Sequence, residues 1–286
     1  MPTTPQDITD AAVASFSGCT DARLRQLLTA LAKHLHAFIG EVRLTDAEWQ
    51  AAIRILNETG ELSDERRQEF VLWSDTLGLS MQIDALSHPK PPGATESTVL
   101  GPFYISGSPQ REYGESISEH SAGTPAWVHG TVVNTEGDPV AGAELDVWQN
   151  GDNGLYAAQS TEEPEEHLRG RFSTRQDGSY AFIGVRPTPY AIPADGPVGR
   201  MLEATGRHPC RPAHLHMIIR ADGYEPLTTH IFDSASPYLE SDAVFAVKPS
   251  LLRTFAPRAE DDPERPPGIS GEWCSVRNDI VLAPQR

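Results

Sequence analysis

Of the 47 glycines and prolines in this 286-residue chain, only 6 fall within the first 88 residues. Both residues disfavour helix interiors, so the opening third is free to be helical and the remainder is not. Two parts of different architecture follow: a helical part over residues 1–95 and strands joined by turns over residues 96–286. The fold class is α+β, with N-terminal helices followed by an all-β sandwich carrying long loops.

Leu24, Leu27, Leu28, Leu31, Leu35 and Phe38 recur at spacings of three and four, which places one apolar stripe on a helix that Gly40 is positioned to stop. A second helix begins at TDAE, where Thr45 and Glu48 form a capping box. It carries Trp49, Ile53 and Leu56 on one side and ends at a Gly60 cap. A third runs from about Asp64 to Leu86 with Phe70, Trp73, Leu77 and Met81, until KPPG breaks the pattern. Beyond it, AWVHGTVV, AELDVWQN, SYAFIGV and HLHMIIR read as strands separated by turns such as EGDP, QDGS and ADG. The stretch PTPYAIPADGPVGRMLEATGRHPCRP holds too much proline and glycine for a regular element and reads as a functional loop.

The balance of 23 Lys+Arg against 40 Asp+Glu gives a net charge of −17, opposite to what a phosphate-binding surface needs, so nucleic acid is excluded as a partner. No apolar run is long enough to span a membrane, and the N-terminus lacks the pattern of a secretory signal, so a cytoplasmic location is expected. Cys19, Cys210 and Cys274 are odd in number and widely spaced, as for reduced thiols.

Two His-x-His pairs stand out. On a helix, His34 and His36 project about 200° apart and cannot share an ion. In RPAHLHMII the following residues are strand-like, and positions two apart on a strand face the same way, so His214 and His216 can share one. Taken alone, the pair fits two polar residues on a solvent face equally well. No cysteine or carboxylate lies close by, which disfavours a thiolate zinc site and a two-histidine-one-carboxylate site. Tyr156 in NGLYAAQ and Tyr190 in RPTPYAIP sit in loop-like surroundings, where each also reads as a packing residue.

These segments in order, together with GPFY, GDPVAGAELDVWQNGDNGLY, LRGRFSTRQDGSYAFIGV and the closing WCSVRNDIVL, closely resemble the intradiol ring-cleavage dioxygenases over nearly the whole chain. The resemblance implies that residues 96–286 are catalytic and hold one non-haem iron(III) ion per chain on Tyr156, Tyr190, His214 and His216. Iron(III) is a hard cation that suits phenolate oxygen and neutral imidazole. The resemblance further implies that a catechol-type diol binds as a dianion, that Tyr190 leaves the metal as it does so, and that dioxygen opens the ring between the two hydroxyls. Arg211 matches the arginine that stabilises charge on the ring in that family, although a loop-anchoring ion pair is its plainer reading.

Within the family the chain is most similar to the branch acting on hydroxyquinol (1,2,4-trihydroxybenzene), through VLGPFYISGSP, SDAVFAVKPSL and His230 in TTHIF, where the catechol branch commonly has glutamine. Hydroxyquinol cleavage gives 3-hydroxy-cis,cis-muconate, or maleylacetate, in aromatic catabolism; catechol or chlorocatechol cleavage on the same iron site is the alternative. By this resemblance the pocket is lined by Leu72, Asp75, Val99, Leu100, Gly101, Pro102, Phe103, Ile192, Pro193, Arg211 and Val244. Asp75 is either a surface helix aspartate or the acceptor for the third hydroxyl. The partners implied are the aromatic diol or triol, dioxygen, and a second copy of the chain paired through the N-terminal helices, with a lipid held between them. GDPVAGAELDVW and DGSYAF also resemble prealbumin-like modules, which leaves a non-catalytic binding domain as a reading of another class.

Overall fold

A computed structural model describes residues 3–64, 67–118, 121–159 and 164–285. The chain divides into two compact units, Met1–Glu58 and Thr59–Arg286.

The first unit is helical. Helix α1 spans Pro5–Ser15, α2 Ala22–Val42, and α3, at Asp46–Glu61, runs three residues past the boundary. The α1 helix escapes the leucine pattern because it carries only Ile8 and Val13 as large apolar residues, but its capping box is plain: the Thr4 hydroxyl accepts from the Asp7 amide. The expected Thr45–Glu48 box is present, with the Thr45 amide donating to Glu48 Oε2 at 2.8 Å. Neither glycine stop holds. The α2 helix passes through Gly40 and ends at Arg43, which takes the left-handed conformation at φ 52°, and Gly60 lies inside α3. A glycine costs a helix only about 1 kcal/mol, so it ends one only where the chain must turn left-handed. Leu24, Leu31, Leu35 and Phe38 are exposed along α2.

In the second unit the expected single helix over residues 64–86 is two, α4 (Glu69–Thr76) and α5 (Leu79–Ser87). Gly78, at φ 78°, turns the chain between them. The long Pro/Gly-rich stretch, read as irregular, holds helix α6 (Pro197–Ala204), whose proline occupies the first turn, where no amide hydrogen is required.

Two five-stranded sheets form the sandwich. The first is built on β1 (Pro125–Asn134), which pairs antiparallel with β4 (Ser179–Val185) on one edge and parallel with β11 (Trp273–Arg277) and then β12 (Ile280–Leu282) on the other; β10 (Ala256–Arg258) extends it beyond β11. Where β1 passes from β11 to β12, a Cβ on Gly130 would lie 2.1 Å from the Asn278 carbonyl oxygen, so only glycine fits. The second sheet has the order β3 (Arg169–Ser173), β2 (Glu144–Gln149), β7 (His214–Arg220), β8 (Leu227–Asp233), β9 (Leu252–Arg253).

The core between the sheets takes Val128, Phe182 and Val276 from the first and Leu145, Val147, Leu215, Met217, Ile219 and Ile231 from the second. Strand periodicity then sends the alternate residues of the second sheet, among them Trp148, Ile218 and Phe232, into a separate buried cluster on its far face. His214, His216 and His230 belong to the same alternate set. The site is therefore built on the back of a fully packed sheet, against α4, α6 and the loops.

Candidate active site

On β7, His214 and His216 project from that far face, and their Nε2 atoms stand 3.1 Å apart. The Tyr156 hydroxyl lies 3.2 Å from the first and 3.1 Å from the second. Donors about 2.1 Å from a shared ion sit roughly 3 Å apart at right angles, so this triangle has the dimensions of one face of an octahedral metal site.

Local structure delivers Tyr156. The Gly151 amide bonds the Leu155 carbonyl across a turn containing Gly154 at φ 78°, and the Tyr156 amide is received by Gln159 Oε1. The ring stacks on Phe103 at 5.0 Å and meets Tyr190 edge-on at 5.3 Å.

Tyr190 is placed by a short ladder. Strands β5 (Tyr190–Ala191) and β6 (Cys210–Arg211) pair antiparallel with Tyr190 opposite Arg211. The Tyr190 hydroxyl consequently stands 3.5 Å from Arg211 Nη1, and the same nitrogen is 3.1 Å from His214 Nε2. Two segments expected to be loops thus form the pairing that brings the second tyrosine and the arginine to the histidines.

Protonation states follow from burial. His214, His216 and His230 are held well below the ordinary histidine range, first by burial and then by the positive charge of Arg211 and neighbouring rings. Neutral imidazole is the ligand form. The His214 Nδ1 atom is 2.7 Å from the Pro212 carbonyl oxygen, which can only accept, so Nδ1 carries the proton and Nε2 offers its lone pair to the cluster. Burial pushes the Tyr156 phenol well above its usual value, and the neighbouring Tyr190 adds to the rise. Ionising that phenol requires a cation beside it.

Arg211 is 2% exposed. Burial works against its charge, but Asp242 holds the guanidinium above its ordinary value by charge and by hydrogen bonds to Nε at 3.1 Å and Nη2 at 3.4 Å. Nothing in the YLESDAVFAV stretch marks Asp242 as different from its neighbours, and sequence reasoning missed it.

Among the described residues His214, His216 and His230 form a group of ligand-type side chains with ligand atoms within 4.8 Å of one another. His230 was read from sequence only as a branch marker. Its Nε2 atom is engaged with His216 Nδ1 at 2.7 Å, so it stands behind His216 and does not face the tyrosine.

A cavity of about 530 Å³ is lined by Asp75, Val99, Leu100, Gly101 and Pro102 among the expected residues, and also by Val71, Ser80, Ile83, Asp84, His88 and Thr228. Leu72, Phe103, Ile192 and Val244 are buried in one cluster with Tyr156 and Tyr190. Pro193 is half-buried beside them. Asp75 is 3% exposed, which removes its surface reading. Burial raises its carboxyl above the ordinary value, while a Ser80 hydrogen bond and the Arg211 charge pull the other way. His34 and His36 lie on α2 in the first unit, where His36 Nδ1 pairs with the Thr9 hydroxyl.

The pattern of this chain matches two family models, "Catechol dioxygenase N terminus" over residues 21–95 and "Dioxygenase" over residues 99–284. A hydroxyquinol 1,2-dioxygenase of Nocardioides simplex is 47% identical over 282 residues, covering 98% of this chain and 95% of its own. The chain belongs to the intradiol ring-cleavage dioxygenases. As an intradiol dioxygenase it is an enzyme, which displaces the binding-module reading. Among solved structures, the hydroxyquinol 1,2-dioxygenase of Pseudomonas putida DLL-E4 superposes with a TM-score of 0.91 at 46% identity, covering 98% of this chain and 99% of that one. The catechol 1,2-dioxygenase of Pseudomonas arvilla C-1 gives 0.87 at 27%, covering 98% and 92%.

Proposed function

We propose that this dioxygenase opens hydroxyquinol between its 1- and 2-hydroxyls, placing both atoms of one dioxygen molecule in 3-hydroxy-cis,cis-muconate, the tautomer of maleylacetate. The observation that carries this reading is a buried carboxylate, Asp75, lining a largely apolar cavity together with the loop that packs on His216. We assign one iron(III) ion to Tyr156, Tyr190, His214 and His216. The triangle of two neutral imidazoles and a phenol suits that ion in size and donor chemistry. Bound there, iron(III) supplies the positive charge that favours the ionised diol and makes its ring reactive toward dioxygen.

The chain's own residues do the remainder. Tyr190 would be one of the residues holding the ion, and its oxygen, 3.5 Å from Arg211 Nη1, would be the group that accepts a proton from the incoming diol. Arg211 holds a fixed positive charge beside the ring as negative charge builds there. Leu72, Ile192 and Phe103 exclude water, and Asp75 accepts a hydrogen bond from the third hydroxyl.

The test is a side-by-side measurement of kcat/KM for hydroxyquinol, catechol and substituted catechols under oxygen, on protein whose iron-phenolate charge transfer gives a red to burgundy colour. Hydroxyquinol is expected to lead. Asp75→Ala is expected to narrow its advantage over catechol by about tenfold or more, the worth of one charged hydrogen bond. An unchanged ratio would remove Asp75 from substrate recognition, and protein that stays colourless with added iron(III) would remove the tyrosine ligands.

We also propose that residues 1–95 act as a dimerisation domain ahead of a catalytic domain at 96–286, and that two copies pair through the exposed apolar face of α2 with a lipid between them. No helix among the described residues is long and apolar enough to cross a membrane, and the three cysteines are free thiols, which supports a working place in the cytoplasm. Light scattering in solution is expected to give twice the 31.2 kDa chain mass; a monomer would overturn the pairing.

A further inference from the structure

We propose that Thr98 and His230 form a hydrogen-bonded relay that fixes the His216 ring in one tautomer and ties this ligand to the wall of the substrate cavity, making His230 a positioning residue. The inference rests on the assignment of His216 as an iron ligand.

Strand pairing lines up the parts. His216 lies opposite His230 on β8 and opposite Trp148 on β2, so three rings from three neighbouring strands sit at one level of the sheet. Trp148 stacks on His216 at 4.6 Å and 15°, which covers one face of the imidazole. At its edge, a Cβ on Gly101 would lie 3.3 Å from Cε1, and Gly101 at φ 79° holds a left-handed backbone that suits glycine, so the cavity loop runs beside the ring without a side chain there. Stacking on Trp148 restrains rotation of the ring. What remains to be set is which nitrogen carries the proton.

Hydrogen bonding sets it. His216 Nδ1 is 2.7 Å from His230 Nε2, and His230 Nδ1 is 2.6 Å from the Thr98 hydroxyl. Both bonds are buried, and the Asp242 carboxylate is committed to Arg211. With Nε2 of His216 offered to the metal, its Nδ1 carries the proton and donates to His230 Nε2. His230 therefore carries its own proton on Nδ1 and donates to Thr98 Oγ. Each link accepts on one side and donates on the other, so reversing any one of them would leave two protons or two lone pairs facing each other across a buried gap.

The far end of the relay is anchored. The Thr98 amide donates to the Thr228 carbonyl of β8, and Thr98 leads directly into Val99, Leu100 and Gly101 of the cavity wall. Segment 98–101 thus reaches His216 Nδ1 through His230, and at Cε1 it leaves less room than a side chain on Gly101 would need. A displacement of that wall by substrate is felt at the ligand.

Outer-shell partners of this kind typically change metal affinity or activity by about 10–100-fold when removed. The experiment compares His230→Leu, His230→Gln and Thr98→Val with the unmodified enzyme. Two readouts are used: iron(III) affinity against a competing chelator and the position of the visible charge-transfer band. His230→Leu is expected to lose affinity by that factor and to shift the band. His230→Gln is expected to recover most of both, because its side-chain carbonyl can accept from His216 Nδ1. Thr98→Val, which keeps the shape and removes the hydroxyl, is expected to show a smaller loss in the same direction.

A folded His230→Leu with unchanged affinity and band overturns the relay, as does a glutamine variant no better than leucine. If His230→Leu does not fold, an unchanged band and affinity in Thr98→Val overturns it. An unmodified enzyme that takes up no iron(III) overturns the metal assignment instead, so the two failures are distinguishable.

Discussion

Arg211→Ala is expected to lower kcat for ring cleavage by about 10²–10³-fold while the protein keeps its iron and its colour. The guanidinium is buried, held in its charged form by Asp242, and aimed so that Nη1 reaches both the Tyr190 oxygen and His214 Nε2. A charge fixed in place before reaction does not have to reorganise as the ring gains electron density, and in a site closed to water it acts through a low dielectric. Since Arg211 is not a proposed ligand, its loss should leave iron content and the charge-transfer band nearly unchanged. Steady-state kinetics beside iron analysis on the same preparation provide the measurement. Undiminished turnover would sink the catalytic assignment. Loss of iron together with activity would make Arg211 a structural prop of His214. Arg211→Lys is not a conservative control, because a lysine cannot occupy both the Asp242 and the Tyr190 directions with one ammonium group.

The histidine pair was legible in the sequence because its chemistry and its fold share one period. Residues two apart face the same way on a strand, and β7 alternates histidine or isoleucine toward the site with Leu215, Met217 and Ile219 toward the core. The tyrosines had no such signal. Tyr156 is positioned by a turn and Tyr190 by a two-residue ladder, and no periodicity develops in elements so short; only the resemblance singled them out.

His230 and Thr98 lie 132 residues apart, and their meeting depends on the register of β8 against β7 and on a loop crossing that strand. A single sequence does not encode that register in any local pattern. The helix boundaries failed for a different reason. Gly40, Gly60 and Gly78 look alike in sequence, but the left-handed turn is at Gly78, whereas Arg43 supplies the one that ends α2. The proline-rich stretch hid α6 because Pro197 sits at the one helical position where proline costs nothing.

Asp242→Ala is expected to destabilise the fold by about 3–5 kcal/mol, read as a drop in the denaturation midpoint, because it strands the Arg211 charge in the interior. The carboxylate has four partners. Oδ1 accepts from Arg211 Nε at 3.1 Å and the Val244 amide at 3.3 Å; Oδ2 accepts from Arg211 Nη2 at 3.4 Å and the Ala246 amide at 3.0 Å. Between those amides Phe245 holds a left-handed backbone at φ 59°, a conformation that costs a bulky residue of order 1–3 kcal/mol unless its surroundings fix it. Asp242 therefore serves the charge and the loop together. The double variant Arg211→Met with Asp242→Ala separates the two roles. If the stranded charge dominates, removing it should make the double variant more stable than Asp242→Ala alone, a non-additivity that a mutant cycle measures directly. If the lost amide acceptors dominate, the double variant should be no more stable, and the 242–246 loop, with Val244 facing the site cluster, becomes the element that Asp242 chiefly supports. Turnover gives an independent check: once Asp242→Ala has released the guanidinium, a further Arg211 substitution should lower kcat little more, because both changes remove the same positioned charge.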